Sequence, residues 1–351
     1  QGCQTPRRQR GSAAGATRVP AGAMHGAVAA KRRLSPLRLC PGRKRPRAGS
    51  DAPLAFASCE AHRISSASGL AYKLSVSQPL SYSLAASRGE AAGPFPVLYV
   101  LDAEPYLFPL LATAARTNHF FTRTQWHPDF IVVGIVADLE DRFTEEPGRG
   151  RAPGLDVRRL WDALRPTRAR DYLPTAAESP WGAPGAEPLI GVSGHATAFV
   201  RFLCSEVVPF IDRWYPTARA QRALIGKSFG GSGVAHALLD PEASQLFSHF
   251  LLGSPSIAWD DRAFFRLEEA SVGSRPPLRA AVYLCVGEKE SDAQLACARD
   301  FKRVLESRGA PGWTVFLDVI QGENHGSVSF PFAGRSVAWL AAQLSEGGVG
   351  R

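Results

Sequence analysis

The chain has 351 residues, 45% of them hydrophobic, and a formal net charge of +9, enough material for one large domain or two small ones. The charge is lopsided: residues 1–50 hold 12 Lys and Arg and no Asp or Glu, leaving 29 basic against 32 acidic residues for the remainder. A basic tail on a near-neutral body argues against nucleic acid as the partner of that body. No apolar run reaches the roughly eighteen residues needed to span a bilayer, and the string Gly26–Ala30 after the single Met24 is too short for a secretory signal core.

Residues 1–58 read as a disordered basic extension. The runs Lys31-Arg32-Arg33 and Arg43-Lys44-Arg45-Pro46-Arg47 suit a nuclear address or an organelle transit leader as well as an extension with no role. The six cysteines show neither paired nor metal-ligand spacing, so buried free thiols, a reducing cytoplasmic or organellar compartment and no metal or cofactor are expected. An ordered domain is expected over 59–348. Leu70, Tyr72, Leu74 and Val76 alternate with polar or small residues, a strand with one buried face. Apolar runs at 96–101, 130–136, 222–225, 249–252, 281–286 and 314–320 do not alternate, as expected for strands covered on both faces of a mainly parallel sheet. Helical periodicity falls between them at 106–117, 196–214, 230–239, 292–307 and 336–344. Strand–helix alternation of this kind predicts an α/β fold, a central sheet with helices on both faces. Residues 139–191, rich in Pro, Gly, Arg and Glu, break the rhythm and read as a surface insertion or lid.

The chemistry concentrates in Gly226-Lys227-Ser228-Phe229-Gly230 at the end of an apolar run. Glycines on either side of a serine, between a strand and a helix, allow the tight turn that lifts a nucleophilic hydroxyl above a sheet edge. A serine nucleophile needs a base and an acid to orient that base. His325 follows the last predicted strand between Gly322 and Gly326; His236, on the helix behind the turn, reads as structural, and His195 as a cap or a wall of the site. Glu288, Glu290 and Asp292 share the loop after the 281–286 run and are equivalent on spacing. The Phe229 N–H at a helix start would stabilise an oxyanion, with a second donor from the loop Leu101-Asp102-Ala103-Glu104.

Six ordered segments carry a family resemblance: Pro96–Asp102, Arg168–Thr175, Val208–Asp212 with Tyr215-Pro216-Thr217, the Ser228 turn, Ser254–Asp261, and Gly287–Glu290 with Asn324-His325-Gly326. Together they resemble the putative-esterase branch of the α/β-hydrolases over about residues 60–345. The resemblance implies an α/β-hydrolase fold and a serine esterase acting on a small-molecule ester through an acyl-enzyme. It implies Ser228 as nucleophile, His325 as base and Glu290 as acid, an oxyanion hole from Phe229 and the Ala103–Glu104 loop, and a pocket bordered by Arg168, Arg170 and Trp259. Ala103 stands where such chains carry glycine, which a backbone donor tolerates only at negative φ. The same site could pass the acyl group to an acceptor other than water, and a catalytically inactive hydrolase-fold binding protein is the reading from another class. The sequence leaves the substrate and the oligomeric state open.

Overall fold

The structure is a computed structural model; it describes residues 59–103, 105–121, 128–139, 157–176, 189, 191–272, 280–308 and 313–346. Eight strands form one sheet: β1 (Cys59–Ser65), β2 (Ala71–Ser77), β3 (Phe95–Leu101), β4 (Ile131–Ala137), β5 (Thr217–Lys227), β6 (His249–Gly253), β7 (Ala281–Gly287) and β8 (Thr314–Ile320). Their spatial order is β1-β2-β4-β3-β5-β6-β7-β8. β2 runs antiparallel to both neighbours, and every pairing from β4 to β8 is parallel. This is the α/β-hydrolase topology. The runs in β3, β4, β5, β6 and β7 are buried on both faces, β3 throughout its length. The 314–320 run, expected among them, is β8 at the edge of the sheet; most of its residues are exposed or half-buried and Phe316 lies on the surface, because no further described strand covers that side.

Helices cover both faces. In chain order they are α1 (Leu80–Arg88), α2 (Leu107–Phe121), α3 (Val157–Tyr172), α4 (Ala196–Phe202), α5 (Val208–Trp214), α6 (Phe229–Leu239), α7 (Ala243–Leu246), α8 (Trp259–Ser271), α9 (Asp292–Ser307) and α10 (Ser329–Glu346). The 196–214 periodicity is thus a continuous helical stretch in which one wide π turn, Leu203–Val207, joins α4 to α5. α9 has the predicted bounds, whereas α10 begins seven residues earlier than the periodicity indicates. Two apolar clusters lie on either side of the sheet. One is built on Leu74, Tyr99, Phe199, Phe250 and Phe301; the other on Leu98, Leu111, Ile225, Tyr283 and Phe332.

The stretch 139–191 is more than a surface insertion. Its residues 157–172 are α3, which packs on α6 with Leu164, Ala169 and Tyr172 buried. Residues 140–156, 177–188 and 190 lie outside the described residues, as does the extension 1–58. No described helix is long and apolar enough to cross a membrane.

Candidate active site

The Ser228 turn is set by two close approaches and two backbone hydrogen bonds. β5 ends at Lys227, α6 begins at Phe229, and Ser228 between them takes φ 57° and ψ −122°, a conformation an L residue holds only when its surroundings impose it. A Cβ on Gly226 would strike the Gly230 carbonyl, and one on Gly230 would lie 2.8 Å from Asp102 Cβ. The Ser228 N–H donates to the Gly253 carbonyl at 2.8 Å and the Ser232 N–H to the Ser228 carbonyl at 2.9 Å. Every residue of α6 is buried, so the helix behind the turn cannot tilt to relieve it.

Two further loops meet this turn. His325, between β8 and α10, lies with Nε2 3.2 Å from Ser228 Oγ. Its Nδ1 lies 2.8 Å from Glu290 Oε2. Glu290 follows β7, and its other oxygen accepts the Gly287 N–H at 2.9 Å and the Ser254 hydroxyl at 2.5 Å. Burial pushes the Glu290 carboxyl up, but the hydrogen bonds from His325, Ser254 and Gly287 more than offset this and hold it below the usual carboxylate range. The two rival acids are engaged elsewhere. Glu288 accepts the Gly322 N–H at 2.9 Å, and Asp292 stands in the first turn of α9. Of the rival histidines, His236 is buried on α6 against Thr197 Oγ1 at 3.0 Å, and His195 stands at the N-cap position of α4 without a side-chain capping hydrogen bond and away from the cavity wall.

Ser228 and His325 open on a cavity of about 850 Å³ whose wall includes Arg165, Arg168, Phe229 and Lys289. The predicted pocket residues divide. Arg168 lines the cavity, but its guanidinium is committed to Asp102, with Nε 2.8 Å from both carboxylate oxygens, and it lies 5.3 Å above the Phe229 ring. Arg170 does not reach the cavity, because Asp171 and Tyr72 hold it against β2. Nor does Trp259, which is buried behind Phe229 with Nε1 3.2 Å from Thr175 Oγ1.

The early loop also differs from expectation. The left-handed φ of 58° falls on Asp102 rather than on Ala103, so alanine replaces glycine there without strain. The Ala103 N–H donates to the Ile135 carbonyl at 3.4 Å, which continues the β3–β4 pairing and turns this donor toward the sheet. Glu104 lies outside the described residues. The Phe229 N–H is at the first position of α6, where the helix dipole favours negative charge. Two residues that hold the site fall in segments that carry the resemblance, yet the sequence points to no role for either: Ser254 beneath the acid, and Tyr172, whose hydroxyl accepts the Asp102 N–H at 2.9 Å. Among the described residues no cluster of His, Cys, Asp or Glu could hold a metal ion.

A parallel sheet with an antiparallel second strand, a strained serine after β5 and a histidine after β8 define the class as the α/β-hydrolases. Within that class, residues 175–346, just under half of the chain, match the family model described as putative esterase. The ferri-bacillibactin esterase BesA of Bacillus subtilis (strain 168) is 29% identical over 167 residues, covering 47% of this chain and 49% of that protein; the match spans about half the length of that curated relative. Two solved structures share the fold. An IroE-like serine hydrolase from Shewanella oneidensis has a TM-score of 0.64 at 21% identity, over 81% of this chain and 80% of that one. The siderophore hydrolase EstA from Aspergillus nidulans has a TM-score of 0.63 at 20% identity, over 84% and 98%. The resemblance to the putative-esterase branch therefore stands.

Proposed function

We propose that this protein is a serine esterase that cleaves carboxylic esters through an acyl-enzyme on Ser228. The observation that carries the reading is the unbroken hydrogen-bond chain from Ser228 through His325 to Glu290 at the wall of the cavity. His325 Nε2 takes the Ser228 proton as Oγ attacks the ester carbonyl. Glu290 fixes the ring tautomer with a proton on Nδ1 and stabilises the imidazolium that forms. The Phe229 N–H holds the oxyanion. The imidazolium then protonates the leaving alkoxide; in the second half His325 takes a proton from the water that attacks the acyl carbon and returns it to Ser228 Oγ as the Oγ–acyl bond breaks and the acid leaves.

Hydrolysis of p-nitrophenyl acetate tests this assignment. Ser228→Ala and His325→Ala should each lower kcat by at least about 10³-fold, Glu290→Gln by about 10²- to 10⁴-fold, and Glu288→Gln by less than about 3-fold. Equal rates for the parent and Ser228→Ala would sink the assignment.

The relatives and the cavity wall together support one substrate class. Arg165 and Lys289 add two cations to the wall of the cavity that Ser228 also lines, which suits an oxygen-rich, anionic ester such as a catecholate siderophore lactone. Charge reversal at both positions should lower kcat/KM for such a lactone by about 10-fold or more and leave p-nitrophenyl acetate within about 3-fold. Equal effects on the two substrates would remove the charge argument.

A further inference from the structure

The turn that leaves β6 touches two of the three catalytic loops. The Gly253 carbonyl accepts the Ser228 N–H at 2.8 Å. One residue on, the Ser254 hydroxyl donates to Glu290 Oε1 at 2.5 Å, and the Ser254 N–H donates to the Cys285 carbonyl of β7 at 2.7 Å. Ser254 is wholly buried and takes φ +40°. A residue needed only to turn the chain there would be glycine, which adopts positive φ without strain. Serine keeps a hydroxyl at this point in spite of the strain.

The consequence is geometric. Oε1 of Glu290 is held by two donors, Ser254 Oγ and the Gly287 N–H, so the carboxylate cannot rotate without breaking both. Its Oε2 is thereby presented to His325 Nδ1 at 2.8 Å. We propose, building on the serine-esterase reading, that Ser254 is the positioning residue of the triad acid: its hydroxyl fixes the Glu290 carboxylate, and the adjoining Gly253 carbonyl ties that group to the nucleophile turn. Ser254 is absent from the cavity wall, so it acts through Glu290 and makes no contact with substrate.

The test is a mutant cycle on the full chain with p-nitrophenyl acetate. Ser254→Ala removes the hydroxyl and keeps the strain; Ser254→Gly removes both and so supplies a folded variant if the alanine form misfolds, with circular dichroism as the check. Both should lower kcat by about 10-fold with KM within about 2-fold. In a Glu290→Ala background the same changes should alter kcat by less than about 2-fold, because the group being positioned is gone. Wild-type kcat in Ser254→Gly overturns the proposal, as do equal losses in both backgrounds, which would mark a merely structural residue. Ser228→Ala separates the two levels: if it hydrolyses as fast as the parent, the serine-esterase reading itself falls.

Discussion

The side chain before the nucleophile is a lysine taken out of water. Lys227 is 4% exposed, and burial pulls its ammonium down from the ordinary 10.5 to about 8, with Glu290 opposing that shift and Arg168 adding to it. The unfolded chain keeps this proton up to about 10.5 whereas the folded one gives it up near 8, so stability should rise with pH across that window. The difference corresponds to a burial cost on the order of 3 kcal/mol at neutral pH. Lys227→Met should therefore raise the thermal midpoint at pH 7 and abolish the alkaline rise; calorimetry of both proteins from about pH 7 to 10 checks it. At this scale the sequence is informative about identity and silent about contacts. Ser228 and His325 can be read from glycine spacing and strand order, because those features belong to local backbone geometry. The choice of Glu290 over Glu288 and Asp292 cannot, since it depends on which carboxylate reaches Nδ1 once β7 and β8 lie side by side.

Helix α3 braces the early loop. Arg168 and Tyr172 lie four residues apart on α3 and reach the same residue, the guanidinium pairing with the Asp102 carboxylate and the phenol accepting its N–H. Asp102 is 6% exposed, so removing its partner strands a buried charge. Arg168→Met should cost about 3–5 kcal/mol in urea unfolding, and adding Asp102→Asn should return part of it. A destabilisation by the single change below about 1 kcal/mol would show that the pair is not needed to hold α3 down. This helix is illegible in the sequence for the same reason that it matters. Its sixteen residues carry five arginines and Pro166, and the arginines that approach the core do so by pairing with carboxylates. A hydrophobic period cannot register burial of that kind. The apolar pattern understates β5 on similar grounds, because its first five residues are exposed or half-buried and include Thr217, Arg219 and Gln221, while its last, Lys227, is charged and buried. The strands buried on both faces are legible throughout, since a short run of unbroken apolar residues has no polar side to turn toward water.

For the whole molecule, buried and half-buried histidines set the acid limit. Burial lowers His249 from 6.5 to about 4 and lowers His62 and His236 in the same direction. Below pH 6.5 the unfolded chain takes up protons that the folded one refuses, so stability falls as pH drops from 6.5 toward 4, by on the order of 3 kcal/mol for His249 alone. Glu290, whose folded value lies below the ordinary 4.5, adds a loss only further down. His249→Gln should flatten the midpoint-against-pH curve between about pH 4 and 6.5, and an unchanged slope would count against the assignment. The architecture also imposes an order in time. His325 lies 97 residues after Ser228, beyond β6, β7 and β8, and chains fold from the N-terminus as they are made. A nascent chain thus carries Ser228 and the glycines of its turn well before His325 has been synthesised. On the proposed serine-esterase reading, until the segment after β8 emerges and docks, Ser228 has nothing to take its proton, and the half-made protein cannot attack the esters around it.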